Sequence, residues 1–234
     1  MVTALRGDRP KGNGRIRSTC SVVSLSGIDT YRTPALSAHD ATWFADHGFT
    51  TMQTLVVLQR HGGSTDHLSP LLTHDEKSAR QVLSARHMEV CTALLAIDAA
   101  SFPSPWNLTA TSFHHACAAT REHRVLIARN DAGTPVGFAI VGRVGTYAYL
   151  QRLAVLPMHR RSGVGRSLVH LASQWATTRG ASTMLVNTEP TNTGALALYA
   201  ALGFVVLPDP LFVLERPVHV LFPLPTGESA EHAT

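Results

Sequence analysis

Cysteine, charge and long apolar runs are all scarce in this sequence, and each scarcity excludes something. Cys20, Cys91 and Cys117 are the only three cysteines among 234 residues. An odd count without metal-ligand spacing argues against a disulfide framework and against a metal site. No apolar stretch approaches the ~18–20 residues of a membrane span. The opening residues, MVTALRGDRPKGNGRIR, are basic but lack the apolar core of a signal peptide. A cytoplasmic protein is therefore expected. Charged residues make up only 15% of the chain, with a net charge of +4. That balance suits a substrate or cofactor carrying phosphates. Much of the basic excess lies in the first 17 residues, and no basic–aromatic pattern accompanies it, so nucleic acid is not the expected partner.

Hydrophobic residues make up 44% of the chain, enough for one ordinary core or for a domain with an appendage. The sequence divides into a flexible basic arm over 1–19, a short segment over 20–60, a turn-rich linker over 61–80, a longer domain over 81–222 and a loose tail over 223–234. In the short segment, SVVSL at 21–25 predicts a strand. ALSAHDATWFADHG at 35–48 predicts a helix closed by glycine, and FTTMQ and TLVVLQR predict two strands. In the domain, helices are predicted over 81–100 and 109–120, with FPSPW breaking the chain between them. HRVLIAR and VGFAIVGRV form a hairpin around NDAGTP. AYLQRLAVL is a strand closed by Pro157. Over 163–179 the apolar residues Val164, Leu168, Leu171, Ala172 and Trp175 fall at helical spacing. TMLVN, the helix GALALYAALG, and the strands FVVL and LFVLER follow. The expected class is α/β (α+β), a mixed central sheet flanked by helices.

The segment ATWFADHGFTTMQTLVVLQR at 41–60 repeats the pattern of LALYAALGFVVLPDPLFVLER at 196–216. Both read helix, Gly-Phe, strand, turn, and then an apolar strand ending in acid or amide plus Arg. The short segment thus looks like half of the domain.

The half that it lacks contains RRSGVG at 160–165. A helix N-terminus presents unpaired N–H groups and the positive end of the macrodipole, and small residues let a phosphate approach them. Arg160 and Arg161 add charge, and Ser162 adds a donor. Gly163, Val164, Gly165 and Arg166 complete the turn into the helix. A tight strand-to-helix turn explains the glycines equally well when they are taken alone. The pattern is not a Walker loop, and Leu168 stands where a dinucleotide fingerprint has its third glycine.

LQRLAVLPMHRRSGVGRSLVHLA resembles the acetyl-CoA-binding motif of the GNAT superfamily of N-acetyltransferases, and NTGALALYAALGF resembles that family's later Asn…Tyr…Gly-Phe segment. FPSPW is similar to a substrate-side loop of the ribosomal-protein N-terminal acetyltransferases. The resemblance spans residues ~86–216 and implies a GNAT fold, with a partial repeat ahead of it. It also implies transfer of an acetyl group from acetyl-CoA to a primary amine through a tetrahedral intermediate. By the same resemblance, Leu153, Ala154 and Val155 line the pantetheine arm, and the amides from Arg161 to Arg166 take the pyrophosphate. Asn192 bonds the pantetheine or holds the loop, and Tyr199 protonates the departing thiolate. A backbone N–H near Val155 stabilises the oxygen of the intermediate. The subgroup's catalytic Glu is replaced by Asn187, which leaves Glu189 as the best carboxylate, with His114 and His115 as outside candidates. In the half-repeat, Phe44 matches Tyr199 and Ser37 matches Asn192. That half is expected to be structural and dispensable for cofactor binding. The rival reading is a non-catalytic acyl-CoA-binding module.

Overall fold

The computed structural model describes residues 30–62, 73–77 and 88–217. The basic arm, the SVVSL strand, Cys20, the start of the 81–100 helix and the C-terminal tail lie outside them. The described residues form strands β1 (Thr30–Arg32), β2 (Thr50–His61), β3 (Thr73–Lys77), β4 (Glu122–Arg129), β5 (Pro135–Val144), β6 (Tyr147–Val155), β7 (Thr183–Thr188), β8 (Val205–Val206) and β9 (Leu211–Pro217). The helices are α1 (Ala38–Asp46), α2 (Met88–Ser101), α3 (Ala110–Ala118), α4 (Val164–Thr177) and α5 (Thr193–Ala201). The strands make one sheet in the order β1-β9-β2-β7-β6-β5-β4-β3, with β8 paired to β2. It is mixed, because β6 and β7 run parallel and their neighbours antiparallel.

Alternation along the strands sends side chains to two cores. On one face α4 buries Val164, Leu168, Ala172 and Trp175 against β4, β5 and β6, joined by Tyr199, Leu202 and Phe204. On the other face α2 and α3 bury Leu94, Ile97, Phe113 and Cys117 over Val125, Ile127, Phe138 and Ile140. Cys91 and Cys117 are free and buried, and burial pushes the Cys117 thiol up to about 12.

Three expectations change. FTTMQ and TLVVLQR are one strand, β2, irregular in its pairing with β9 between Thr51 and Gln53. The segment expected as a linker contains β3, which pairs with β4 at the sheet edge. A run of charged residues, THDEK, gives no apolar alternation to signal a strand, yet charge is what an edge strand tolerates. The short N-terminal segment, finally, expected as a structural half ahead of the domain, is built into the domain's own sheet. Its β2 lies inside the sheet, bonded to β7 through Val56–His61 on one side and to β9 through Thr50–Leu55 on the other.

The two similar segments share local geometry, and they interlock. Ser37 caps α1 by accepting from the amide of Asp40, and Asn192 caps α5 by accepting from that of Ala195. Each helix ends at a glycine in the left-handed region, Gly48 at φ 80° and Gly203 at φ 78°. The following amide returns to the matching carbonyl, Phe49 N to Phe44 O at 3.1 Å and Phe204 N to Tyr199 O at 3.0 Å. The terminal arginines then cross over. Arg60, near the end of β2, donates to Leu202 O at 3.2 Å and lies 5.3 Å above the Phe204 ring. Arg216, near the end of β9, donates to His47 O and lies 6.0 Å from the Phe49 ring. Each arginine closes the carbonyl end of the other copy's helix, where a cation is favoured.

Candidate active site

The parallel pair β6 and β7 is joined only from Tyr147–Tyr149 to Thr183–Leu185. Beyond that point β6 continues to Val155 and β7 to Thr188, so the two strands part. The parting begins where β6 carries a bulge, since Ile140 faces Arg152 while Val141 faces Leu150, leaving Gln151 as the extra residue. A bulge bends its strand and turns consecutive side chains toward one face. The result is a cleft between the C-terminal ends of two parallel strands, the position at which helices α4 and α5 also begin.

Leu153 and Val155 turn toward the α4 core and Ala154 toward the opposite one. The Val155 carbonyl is already engaged, accepting from Ser101 Oγ and from Arg160 Nε, both at 3.2 Å. Arg160 is thus folded back on the strand end. The Ser162 hydroxyl, expected as a donor to a ligand, donates instead to His159 O at 2.7 Å. The backbone itself makes the better case for an anion. Arg161 has φ 65° and Gly163, the N-cap of α4, has φ 90°. A non-glycine residue in that region is costly and marks a site under constraint. Alternation of this kind points successive N–H groups into one concavity, an anion nest. The first backbone bond of α4 is donated by Ser167 to Gly163 O, which leaves the amides ahead of it without intrahelical acceptors. Gly165 lets α4 and α5 approach, since a Cβ there would stand 3.3 Å from Leu198 Cδ2.

On the β7 side, Asn192 is an N-cap whose Nδ2 also donates to Thr188 Oγ1 at 3.2 Å. It ties the start of α5 to the end of β7. Tyr199 is 4% exposed, its ring 5.6 Å from that of Phe204, and burial raises its hydroxyl well above the ordinary value. Glu189 is exposed, just past the end of β7, and accepts from Gln53 Nε2 and, at 3.4 Å, from Thr191 Oγ1. Asn187 lies opposite Val57 in β7. His114 and His115 are exposed on α3, which packs mainly on β4 and β5.

The sequence reading missed a buried ion pair. Arg152 meets Asp98 of α2 through Nε–Oδ1 at 2.6 Å and Nη2–Oδ2 at 2.7 Å. The same Nη2 donates to Trp106 O, the Leu108 amide donates to Asp98 Oδ2, and the guanidinium sits 3.5 Å from the centre of the Phe102 ring. The pair therefore pins the 102–108 loop, which contains FPSPW, to the bulged strand. The signal was a lone acid inside LLAIDAAS and a lone base inside YLQRLAVL. Because Asp98 is wholly buried and Arg152 is 5% exposed, Asp98→Ala should cost about 3–5 kcal/mol of stability in denaturant unfolding by stranding the cation. Adding Arg152→Met should recover most of that loss.

Residues 91–204 match the model of the acetyltransferase (GNAT) family, so the chain carries a GNAT-family acetyltransferase domain. The aminoglycoside N(6')-acetyltransferase type 1 of Klebsiella aerogenes is 35% identical over 92 residues, covering 36% of this chain and 60% of that protein. The N-acetyltransferase family 8 member 3 of Rattus norvegicus is 34% identical over 96 residues, covering 41% of each chain. The chain thus spans less than two thirds of either relative. A tandem GNAT protein from the clavulanic acid biosynthesis pathway superposes with a TM-score of 0.57 at 14% identity, over 81% of this chain and 64% of that one. That likeness shows the fold.

Proposed function

We propose that the protein is an N-acetyltransferase that moves an acetyl group from acetyl-CoA to a primary amine by direct attack of the amine on the thioester. The observation that carries this reading is the parting of β6 and β7 beside the amide nest that opens α4. The residues fit the co-substrate. The amides from Arg161 to Arg166 take the pyrophosphate with charge support from Arg160 and Arg161, and the edge formed by Leu153, Ala154 and Val155 takes the pantetheine arm. Asn192 holds the mouth of the cleft through its cap. A backbone N–H at the end of β6 donates to the carbonyl oxygen as negative charge builds there. Tyr199 supplies a proton to the leaving sulfur, and Glu189, directly or through water, takes one from the amine. Holding both reactants in line supplies much of the rate. The acceptor is a small amine, a lysine or a protein N-terminus, and the relative named for aminoglycosides supports the first. The cytoplasm, where acetyl-CoA is available, is the proposed site of action. No helix among the described residues is long and apolar enough to cross a membrane.

Mass spectrometry of an amine and peptide panel incubated with the protein and acetyl-CoA tests the reading. An acetylated product supports it, and tight acetyl-CoA binding without turnover of any amine would make the protein a non-catalytic acyl-CoA module. Substitution at Gly163 tests the cradle. A Cβ there meets nothing within 4 Å, so space is not the obstacle, but φ 90° disfavours any side chain. Gly163→Ala carries the strain alone, and Gly163→Glu adds a carboxylate among the donors meant for phosphate. Calorimetry should show acetyl-CoA affinity falling modestly for Ala and by a hundredfold or more, about 3 kcal/mol, for Glu. Equal affinities for Ala and Glu would remove the nest from the site.

A further inference from the structure

Gln53 belongs to the N-terminal segment, outside the residues that match the family, yet its side chain reaches Glu189. The register explains how. β7 ends at Thr188, opposite Val56, while β2 extends on the other side of that point through Leu55, Thr54 and Gln53. The pairing irregularity between Thr51 and Gln53 sits at the same place, and such irregularities re-aim side chains. Alternation puts Gln53 on the face of Leu55 and Val57, which form one cluster with Leu185 of β7 and with Trp106 of the loop pinned by Asp98 and Arg152. Counting along β7, Leu185, Asn187 and Glu189 share that face. The wall beside the candidate base is therefore built jointly by β2, the end of β7 and the 102–108 loop. At its rim Glu189 is held on both oxygens, Oε1 by Gln53 and Oε2 by Thr191, and its own carbonyl accepts from the Asn192 amide at 3.0 Å.

We infer that Gln53 is a positioning residue for Glu189, so that the N-terminal repeat sets the geometry of the group that receives the acceptor amine. The inference rests on the acetyl-transfer reading. Replacing the side chain frees one carboxylate oxygen to turn away from the amine, while the nest at the start of α4 and the parted strands are untouched. Gln53 acts through Glu189 alone, so once Glu189 is neutralised the loss of Gln53 has nothing further to remove.

Two measurements on the full chain test it. In nitrogen–proton NMR, the Gln53 side-chain amide should be displaced from the position of an exposed glutamine and should move to it in Glu189→Ala, which leaves no acceptor. In kinetics with an amine that the wild type acetylates, Gln53→Leu should lower kcat roughly ten- to a hundredfold, with acetyl-CoA affinity unchanged. In the Glu189→Gln background it should add less than twofold. A Gln53 resonance indifferent to Glu189, or losses that multiply in the double variant, would overturn the inference. Failure of the wild type to acetylate any amine, with the NMR coupling intact, would sink the function and leave Gln53 as a partner of Glu189 with no reaction to serve.

Discussion

A chain that begins at residue 80 should fail to bind acetyl-CoA because it should fail to fold. Its loss is that of an interior strand. Removing β2 strips the antiparallel partner from β7 over Thr183–Thr188 and from β9 over Leu211–Glu215. It also removes Leu55, Val57 and Leu58, which are 9%, 6% and 1% exposed. At about 1.5–3 kcal/mol for each buried side chain, those three alone approach the roughly 5–15 kcal/mol net stability of a whole domain. Arg60 goes with them, and with it the cation at the carbonyl end of α5, the helix that carries Tyr199. Circular dichroism and size-exclusion chromatography should show an aggregated or unfolded product. Co-expression with a separate chain of residues 1–79 should restore soluble material, because the contacts between the pieces are those of the intact sheet. A monomeric truncation that binds acetyl-CoA would mean that β9 had slid across to pair with β7, and that the exchange of arginines is ornamental.

The local elements were legible where one period ran without competition. The helix over 163–179 has its apolar stripe and its glycine entry, and α4 appears at Val164–Thr177. The repeat was legible because two copies of one sentence of residues lie in one chain. Its placement was not, since no local pattern says which strands flank β2. That depends on contacts such as Arg60 to Leu202, which are 142 residues apart. The apparent break between FTTMQ and TLVVLQR was a real change of surroundings, misread as a turn. The pairing with β9 is irregular just before it, between Thr51 and Gln53, and just after it, between Leu55 and Val56, β2 passes from pairing with β9 to pairing with β7. At the site, glycines and arginines raised the expectation of an anion loop, but composition could not say that Ser162 and Arg160 would bond within the loop and strand. Gln53 carried no signal at all, because its role exists only once β2 runs past the end of β7.

Tyr199→Phe should leave acetyl-CoA affinity nearly unchanged and lower turnover about 10²–10⁴-fold, the range of a lost general acid. The protein already contains a phenylalanine at the matching helix end, half-buried where Tyr199 is buried. Phe44 occupies the matching place in the first repeat, with the same return bond from the residue after the helix-ending glycine. Its ring stands 5.2 Å from Phe49, as that of Tyr199 stands 5.6 Å from Phe204. A phenyl ring therefore suits this helix end, and loss of the hydroxyl is what the variant reports. Within the described residues the hydroxyl makes no hydrogen bond of its own, so removing it strands no partner. Burial raises its pKa, which favours the neutral form, so Tyr199 holds its proton across the whole range of ordinary assays. That shift does not disqualify it as a donor, because a thiolate that reaches so buried a hydroxyl is itself desolvated and gains proton affinity for the same reason. The sign of the shift gives an independent check. Below about pH 10 the folded and unfolded chains both hold the tyrosine proton, and above it the unfolded chain releases it first. Wild-type stability should therefore fall as pH rises through that range, and Tyr199→Phe should lose less. If the variant turns over at the wild-type rate while the chemical step limits the reaction, Tyr199 is a core residue, and water delivers the proton.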